Sequence, residues 1–287
     1  MPTPLSRGTV SILERTDLLK NFSEVTDRPD HEIDVARAAL LLSASEYPGI
    51  SVDRELFTFQ RIAGSISSKL LDDDDPLYCM NTLSEALFDE GGFRGNTKNY
   101  YDPRNSYLNQ VLERRIGIPI TLAVVYMEVG RRLKVPLVGV GMPGHFLVRH
   151  LEIDNLFVDP FSGGYLLSVD ECKKLLEERM QGPVDWDESL LSPVSNREIV
   201  ARIIRNLKAI YMHDEDYVRA LDVAEFAVAL DPHSAANHRD RGIVHYQLGH
   251  SAEALDDLVH YLNLVPNGVD AEGVHAIVAE LRSFLED

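Results

Sequence analysis

The side chains best suited to chemistry lie between residues 105 and 160. His145 sits in the strand-like run Gly144-His-Phe-Leu-Val148, and Asp159 ends Phe157-Val-Asp159 just ahead of Pro160. An imidazole oriented by a carboxylate can take or give a proton near neutral pH. Thr121 is the hydroxyl nearest the start of the apolar stretch that opens at Pro119. With His145 as base it could attack a carbonyl, although an unassisted threonine is a poor nucleophile. The alternative is that Thr121 satisfies N–H groups left unpaired in a first helical turn, and this second role is the favoured one. Asn105 and Ser106 precede the Gly117-Ile-Pro119 turn and could offer hydrogen bonds to a ligand beside His145, or Asn105 could cap a helix.

Other chemistries are excluded by spacing. Cys79 and Cys172 are the two cysteines; neither lies near that helix start and there is no CxxC. The ten histidines show no HxxxH or HExxH pattern, so no metal site is expected. Gly139-Val-Gly-Met-Pro-Gly144 matches GxGxxG, but Pro143 and a following strand stand where a phosphate-binding helix would have to begin. No cofactor is expected.

These residues need a scaffold. Leu122, Tyr126, Val129 and Leu133 recur at spacings of four, three and four, one buried helical face. Pro119 suits the first position of that helix. Residues 137–140, 146–150 and 156–158 read as short strands. His145 and Asp159 face each other if the loop between their strands centres near Glu152; a tight turn at Asp154-Asn155 would offset them. Asp159-Pro160 also favours turn initiation. Helices are expected at 32–46, 51–71, 77–89, 105–115 and 168–181, with the Asp72–Asp75 run as a solvated loop. Ser195-Asn-Arg-Glu198 is a capping box opening a long helix. Beyond it Ala220 and Ala254, Leu230 and Leu264, and Pro232 and Pro266 are each 34 residues apart, the period of a tetratricopeptide repeat. Residues 270–285 read as a capping helix. The organisation is a loose leader at 1–30, one domain over 31–190 and a repeat domain over 195–287.

Longer boxes carry a family resemblance. Phe88-Asp-Glu-Gly-Gly-Phe-Arg-Gly-Asn96, the run Tyr100-Tyr-Asp-Pro-Arg-Asn-Ser-Tyr107 continuing to Gly117-Ile-Pro119, Pro143-Gly-His-Phe-Leu-Val148 and Asp159-Pro-Phe161 resemble the SirB1 family over roughly residues 30–285. The resemblance implies a mostly α fold with a small α+β core: a helical N-terminal part, a transglutaminase-like core of papain type, and C-terminal repeats. In such cores a cysteine starts the helix, and a histidine and an aspartate sit on the following strands. This chain has His145 and Asp159, but Pro119, Ile120 and Thr121 stand where the nucleophile is expected.

The bulk numbers agree with a protein-binding role. With 46 acidic against 28 basic residues the net charge is −18, which disfavours nucleic acid. The first residues lack an apolar signal core, and no apolar run is long enough for a membrane span. Two unpaired cysteines suit a reducing compartment. The expectation is a soluble cytoplasmic protein, non-catalytic and regulatory, with a degenerate transglutaminase-like cleft and a repeat-based peptide groove. Arg202, Arg205, Asn206, Asn237, Arg241 and His245 would line that groove, with Arg202 and Arg241 reading an acidic or carboxy-terminal protein ligand. The alternative is an amide-bond hydrolase or acyl transferase using Thr121, His145 and Asp159.

Overall fold

The computed structural model describes residues 12–70 and 75–286. In chain order its helices are α1 (Ile12–Thr26), α2 (Val35–Glu46), α3 (Val52–Ile66), α4 (Pro76–Ser84), α5 (Leu108–Arg114), α6 (Pro119–Arg132), α7 (Val169–Met180), α8 (Asn196–His213), α9 (Tyr217–Leu230), α10 (Ala235–Gln247), α11 (Ser251–Leu264) and α12 (Ala271–Glu286). The strands are β1 (Arg94–Gly95), β2 (Ile116–Gly117), β3 (Leu137–Val140), β4 (Leu147–His150), β5 (Leu156–Asp159) and β6 (Tyr165–Ser168). Most residues are helical, as expected. Residues 28–203 form one compact unit; residues 12–27 and 204–286 belong to the other.

Local chemistry sets many of the helix starts. Asp34, Ser51, Asp75, Ser168 and Ser234 each accept a backbone N–H of the first turn that follows, the usual economy of an N-cap. Ser195 does the same for Glu198 at the head of α8. α4 runs into a π-helical turn at Glu85–Glu90 rather than continuing to Asp89 as a regular helix. The Asp72–Asp74 part of the expected loop lies outside the described residues.

In the first unit the central element is α6. It packs against α2, α3, α4, α5 and the strands β1 to β4. Ile120, Leu122, Ala123, Val124, Val125, Tyr126 and Val129 are all buried, so the single buried stripe read from the sequence is too narrow. A helix apolar on every side belongs inside. Beside it lies the antiparallel sheet β3-β4-β5-β6. A buried cluster on the sheet joins Val140, Met142, Leu147, Phe157, Cys172, Leu176 and Leu191, with Trp186 packed on it. Strand β6 and the two-residue parallel pair β1-β2 were not expected from the sequence.

In the second unit, α9 to α12 follow the repeat period. Ala254, Leu258, Tyr261, Val274, Val278 and Leu281 form the core of its C-terminal half. The expectation of a loose leader at residues 1–30 fails for Ile12–Thr26; residues 1–11 lie outside the described residues. α1 packs on α9. Phe22 meets Phe226 edge-on at a centroid distance of 4.9 Å, and Arg15 pairs with Asp222 and Glu225, each at 2.6 Å. Leu18, Phe22 and Val25 recur at helical spacing, a stripe hidden among polar neighbours.

Two glycines test this packing. A Cβ on Gly242 of α10 would lie 2.8 Å from Leu258, whereas one on Gly273 of α12 meets nothing within 4 Å. Gly242→Val should therefore destabilise the fold by about 1–3 kcal/mol through overpacking. Gly273→Ala should stabilise it by roughly 0.5–1 kcal/mol through helix propensity. Urea unfolding midpoints of the two variants measure both effects.

Candidate functional site

α6 begins on Pro119 with Ile118 as its N-cap, a residue with no side-chain acceptor. Thr121, at the third helical position, supplies what Ile118 cannot. Its Oγ1 accepts the Ile118 N–H at 3.1 Å and donates to the Asn105 carbonyl at 2.7 Å. Thr121 is fully buried. Its hydroxyl is the reciprocal half of a capping box, joined to a tertiary pin.

Asn105 is equally enclosed. Its Nδ2 donates to the carbonyls of Asn99 and Tyr100 at 2.8 and 3.1 Å, and its Oδ1 accepts from Asn96 Nδ2 at 3.1 Å. The amide is consumed in folding the 96–105 loop, so Asn105 does not offer ligand contacts as expected. Ser106 is 1% exposed and its hydroxyl finds no partner.

His145 and Asp159 come together. The β4–β5 register pairs Val148 with Val158, so the connection centres one residue past Glu152, and His145 lies diagonal to Asp159 with Phe161 opposite it. The diagonal is short enough: His145 Nε2 lies 2.9 Å from Asp159 Oδ1. The approach is bent, and neither ring nitrogen has a well-directed hydrogen bond. The imidazole is wholly buried, and no hydroxyl reaches Nδ1. Thr121 and His145 are thus not joined by a hydrogen bond, contrary to what a triad requires.

Asp159 serves two purposes. Its Oδ1 accepts the N–H groups of Phe161 and Ser162 at 3.0 and 3.3 Å, and Oδ2 accepts the Ser162 hydroxyl at 2.8 Å. Turn initiation and the imidazole contact therefore coexist. Burial works against the charge, but His145 and Ser162 outweigh it and hold the carboxyl below the usual aspartate range. Cys172, whose thiol also feels Asp159, is pushed up to about 12, chiefly by burial.

The two arginines assigned to a common peptide groove are occupied elsewhere. Arg202 belongs to the first unit, where its Nη2 donates to the carbonyls of Met142 and His145 at 2.7 and 2.8 Å. Its guanidinium also lies over the Phe146 ring. It clamps the loop that presents His145. Arg241 makes a two-pronged pair with buried Asp257, both contacts at 2.7 Å. Both guanidinium groups expected to read a ligand hold the chain's own oxygens. The GxGxxG run is likewise structural. A Cβ on Gly139 would strike Phe146 at 2.7 Å, and one on Gly141 would strike Val194 at 2.9 Å.

Sequence reasoning missed the residues that cover His145. The Phe161 ring stands edge-on to the imidazole, Tyr100 stands edge-on to Phe161, and Arg179 lies over the Phe161 ring at 5.8 Å. The Asp159-Pro-Phe161 box was a signal for the first of these.

Comparison with known proteins fits this geometry. The profile of the transglutaminase-like superfamily matches residues 56–205, and a tetratricopeptide-repeat profile matches residues 207–279. A UPF0162 protein of Xylella fastidiosa is 37% identical over 93% of this chain and 96% of its own. A UPF0162 protein of Pseudomonas aeruginosa is 35% identical over 74% of this chain and 77% of its own. Protein SirB1 of Salmonella typhimurium is 27% identical over 80% and 85% respectively. The chain belongs to the SirB1 family. Its repeats indicate protein partners, and among the described residues no helix is long and apolar enough to cross a membrane.

Two outcomes test the site's energetics. Thr121→Val strands the Ile118 N–H and the Asn105 carbonyl and should cost about 1–3 kcal/mol. Thr121→Ser, which keeps both bonds, should cost less in the same denaturant titration. Asp159 has a depressed native pKa, so its stabilisation is fully present above the unfolded value of about 3.9 and is lost as pH falls through the native value. The stability gap between the parent and Asp159→Asn should therefore be present at pH 5 and close as the pH falls through the native value. A gap that instead widens on acidification contradicts the assignment.

Proposed function

We propose that this chain is a non-catalytic, regulatory protein of the cytoplasm, a pseudoenzyme whose degenerate transglutaminase-like cleft and repeat helices bind a protein partner. One observation carries the reading. The hydroxyl at the helix start is buried and donates to the Asn105 carbonyl, so its proton is not offered to His145. A nucleophile must share its proton with the base that activates it, and here that proton holds a loop.

The Cys172 thiol does not replace it. Cys172 is fully buried with its pKa pushed up to about 12 by burial, then by Asp159 and Glu171, so its thiolate is scarce at neutral pH. The second reading, an amide-bond hydrolase or acyl transferase using Thr121, His145 and Asp159, has one point in its favour. The imidazole stands 2.9 Å from the carboxylate with its other nitrogen unpartnered, as a waiting general base would.

A panel of peptide and ester substrates separates the two. The parent, Thr121→Ala and His145→Ala proteins should all hydrolyse at the same background rate. Turnover by the parent that both substitutions abolish, with folding intact, establishes the threonine enzyme instead. In the native protein Cys172 should resist iodoacetamide at pH 7 and react only after unfolding; rapid stoichiometric labelling at Cys172 would bring thiol chemistry back.

A further inference from the structure

The cover over His145 has a chemical character of its own. Tyr100 and Tyr101 stand edge-on to each other at 5.3 Å, and Tyr100 stands edge-on to Phe161 at 6.0 Å. Tyr101 is 75% exposed. Pro143 and Gly144, immediately before His145, are exposed as well. The aromatic layer therefore reaches from the buried imidazole to solvent.

Arg179, in the last turn of α7, lies over the Phe161 ring. Among the described residues no carboxylate pairs with it, and its Nε is buried without a hydrogen-bond acceptor. A guanidinium donor removed from water and left unmatched is uncommon and costly. Burial pushes the Tyr100 hydroxyl pKa up, and the cations Arg179 and Arg202 oppose that shift. Arg202 spends its Nη2 on the carbonyls of Met142 and His145. In a chain of net charge −18, this is a local reversal of sign placed against exposed aromatic surface.

We propose that Tyr100, Tyr101, Phe161 and Arg179 form a recognition surface for a carboxylate carried by a peptide segment of the protein partner. Arg179 receives the carboxylate end-on through its two terminal nitrogens, which can match two oxygens at once. The tyrosines pack against the flanking residue, as large rigid amphipathic side chains do at binding surfaces. The overall acidity of the chain favours a short acidic segment over a long phosphate polyanion, which would be repelled beyond the contact. This inference rests on the binding-protein reading above and names the ligand chemistry of that same cleft.

Fluorescence anisotropy on the full chain tests it, with three labelled hexapeptides of otherwise identical sequence. One carries an internal glutamate and an amidated end, one a glutamine and a free carboxy terminus, and one a glutamine and an amidated end. The first two distinguish a side-chain carboxylate from a terminal one. At least one of them should bind about tenfold or more tightly than the third. Arg179→Gln should erase that advantage, a loss of about tenfold. Arg61→Gln, which removes an exposed cation of α3, should change affinity by less than about twofold. Arg179→Lys keeps the charge but not the fork and should fall between parent and Arg179→Gln; it also serves if Arg179→Gln fails to fold. Equal binding of all three peptides, equal losses in the Arg179 and Arg61 variants, no binding by any peptide, or tighter binding of a single-stranded oligonucleotide each overturn the proposal. Mass spectrometry of the recovered peptides keeps the two readings apart. Cleavage counts against the non-catalytic reading, whereas intact peptides without carboxylate preference count against this surface alone.

Discussion

The first turn of α6 depends on one hydroxyl. Thr121 ties the Ile118 N–H to the Asn105 carbonyl, and through Asn105 it fixes the loop that runs from Asn96 to Tyr107. That loop supplies Tyr100, and its neighbour β1 packs against the Pro160–Ser162 turn that carries Phe161. A Cβ on Gly95 would lie 2.6 Å from Phe161, so the backbone there must approach as closely as glycine permits. The helix start that a papain-type enzyme reserves for its nucleophile is here the junction that organises the surroundings of His145. Each unmade bond at such a buried junction costs roughly 1–3 kcal/mol, a large part of the margin by which a domain of this size is stable.

On the proposed non-catalytic reading, the buried imidazole and carboxylate need a reason other than activating a nucleophile. Asp159 is well satisfied by the two N–H groups and the hydroxyl of its own turn, so His145 adds a fourth neighbour to an anion already provided for. His145 receives less than it gives, since its Nδ1 remains without a partner. Replacing His145 alone by an apolar residue would take from the buried Asp159 carboxylate one of the groups that hold its charge, which costs stability. The loop carrying His145 is also clamped through its carbonyl by Arg202. The fold thus holds the His145 backbone from one side while the buried imidazole keeps Nδ1 without a partner.

Much of this was legible in the sequence where local chemistry decides. Capping residues such as Ser168 and Ser195 marked helix starts, the 34-residue spacing of Ala220 and Ala254 marked the repeats, and strands around His145 and Asp159 were found within a residue. The rest depended on partners distant in the chain. β1 and β2 are two residues each, too short to show a period. β6 shows no alternation of burial. α1 was hidden because Leu18, Phe22 and Val25 stand among charged neighbours, and its ion pairs with Asp222 and Glu225 span more than 200 residues. The one-residue displacement of the β4–β5 connection is beyond composition or propensity, because register is settled by packing.

The arginines show most sharply why site residues resist one-dimensional reading. Arg202, Arg241 and Arg179 look alike in the sequence, each a cation on a helix in an acidic chain. Position on an exposed-looking helical face suggested the first two as ligand readers, yet carbonyls 57 and 60 residues away consume Arg202, and buried Asp257 consumes Arg241. Arg179, which drew no notice, is the one whose Nε lacks an acceptor. Availability of a charge is a property of what the fold has left unpaired. In a protein with 46 acidic residues and 28 basic ones, most guanidinium groups find an internal carboxylate or carbonyl. One that does not, placed beside half-buried Tyr100 and exposed Tyr101, is where selectivity for an anion can arise despite the sign of the whole.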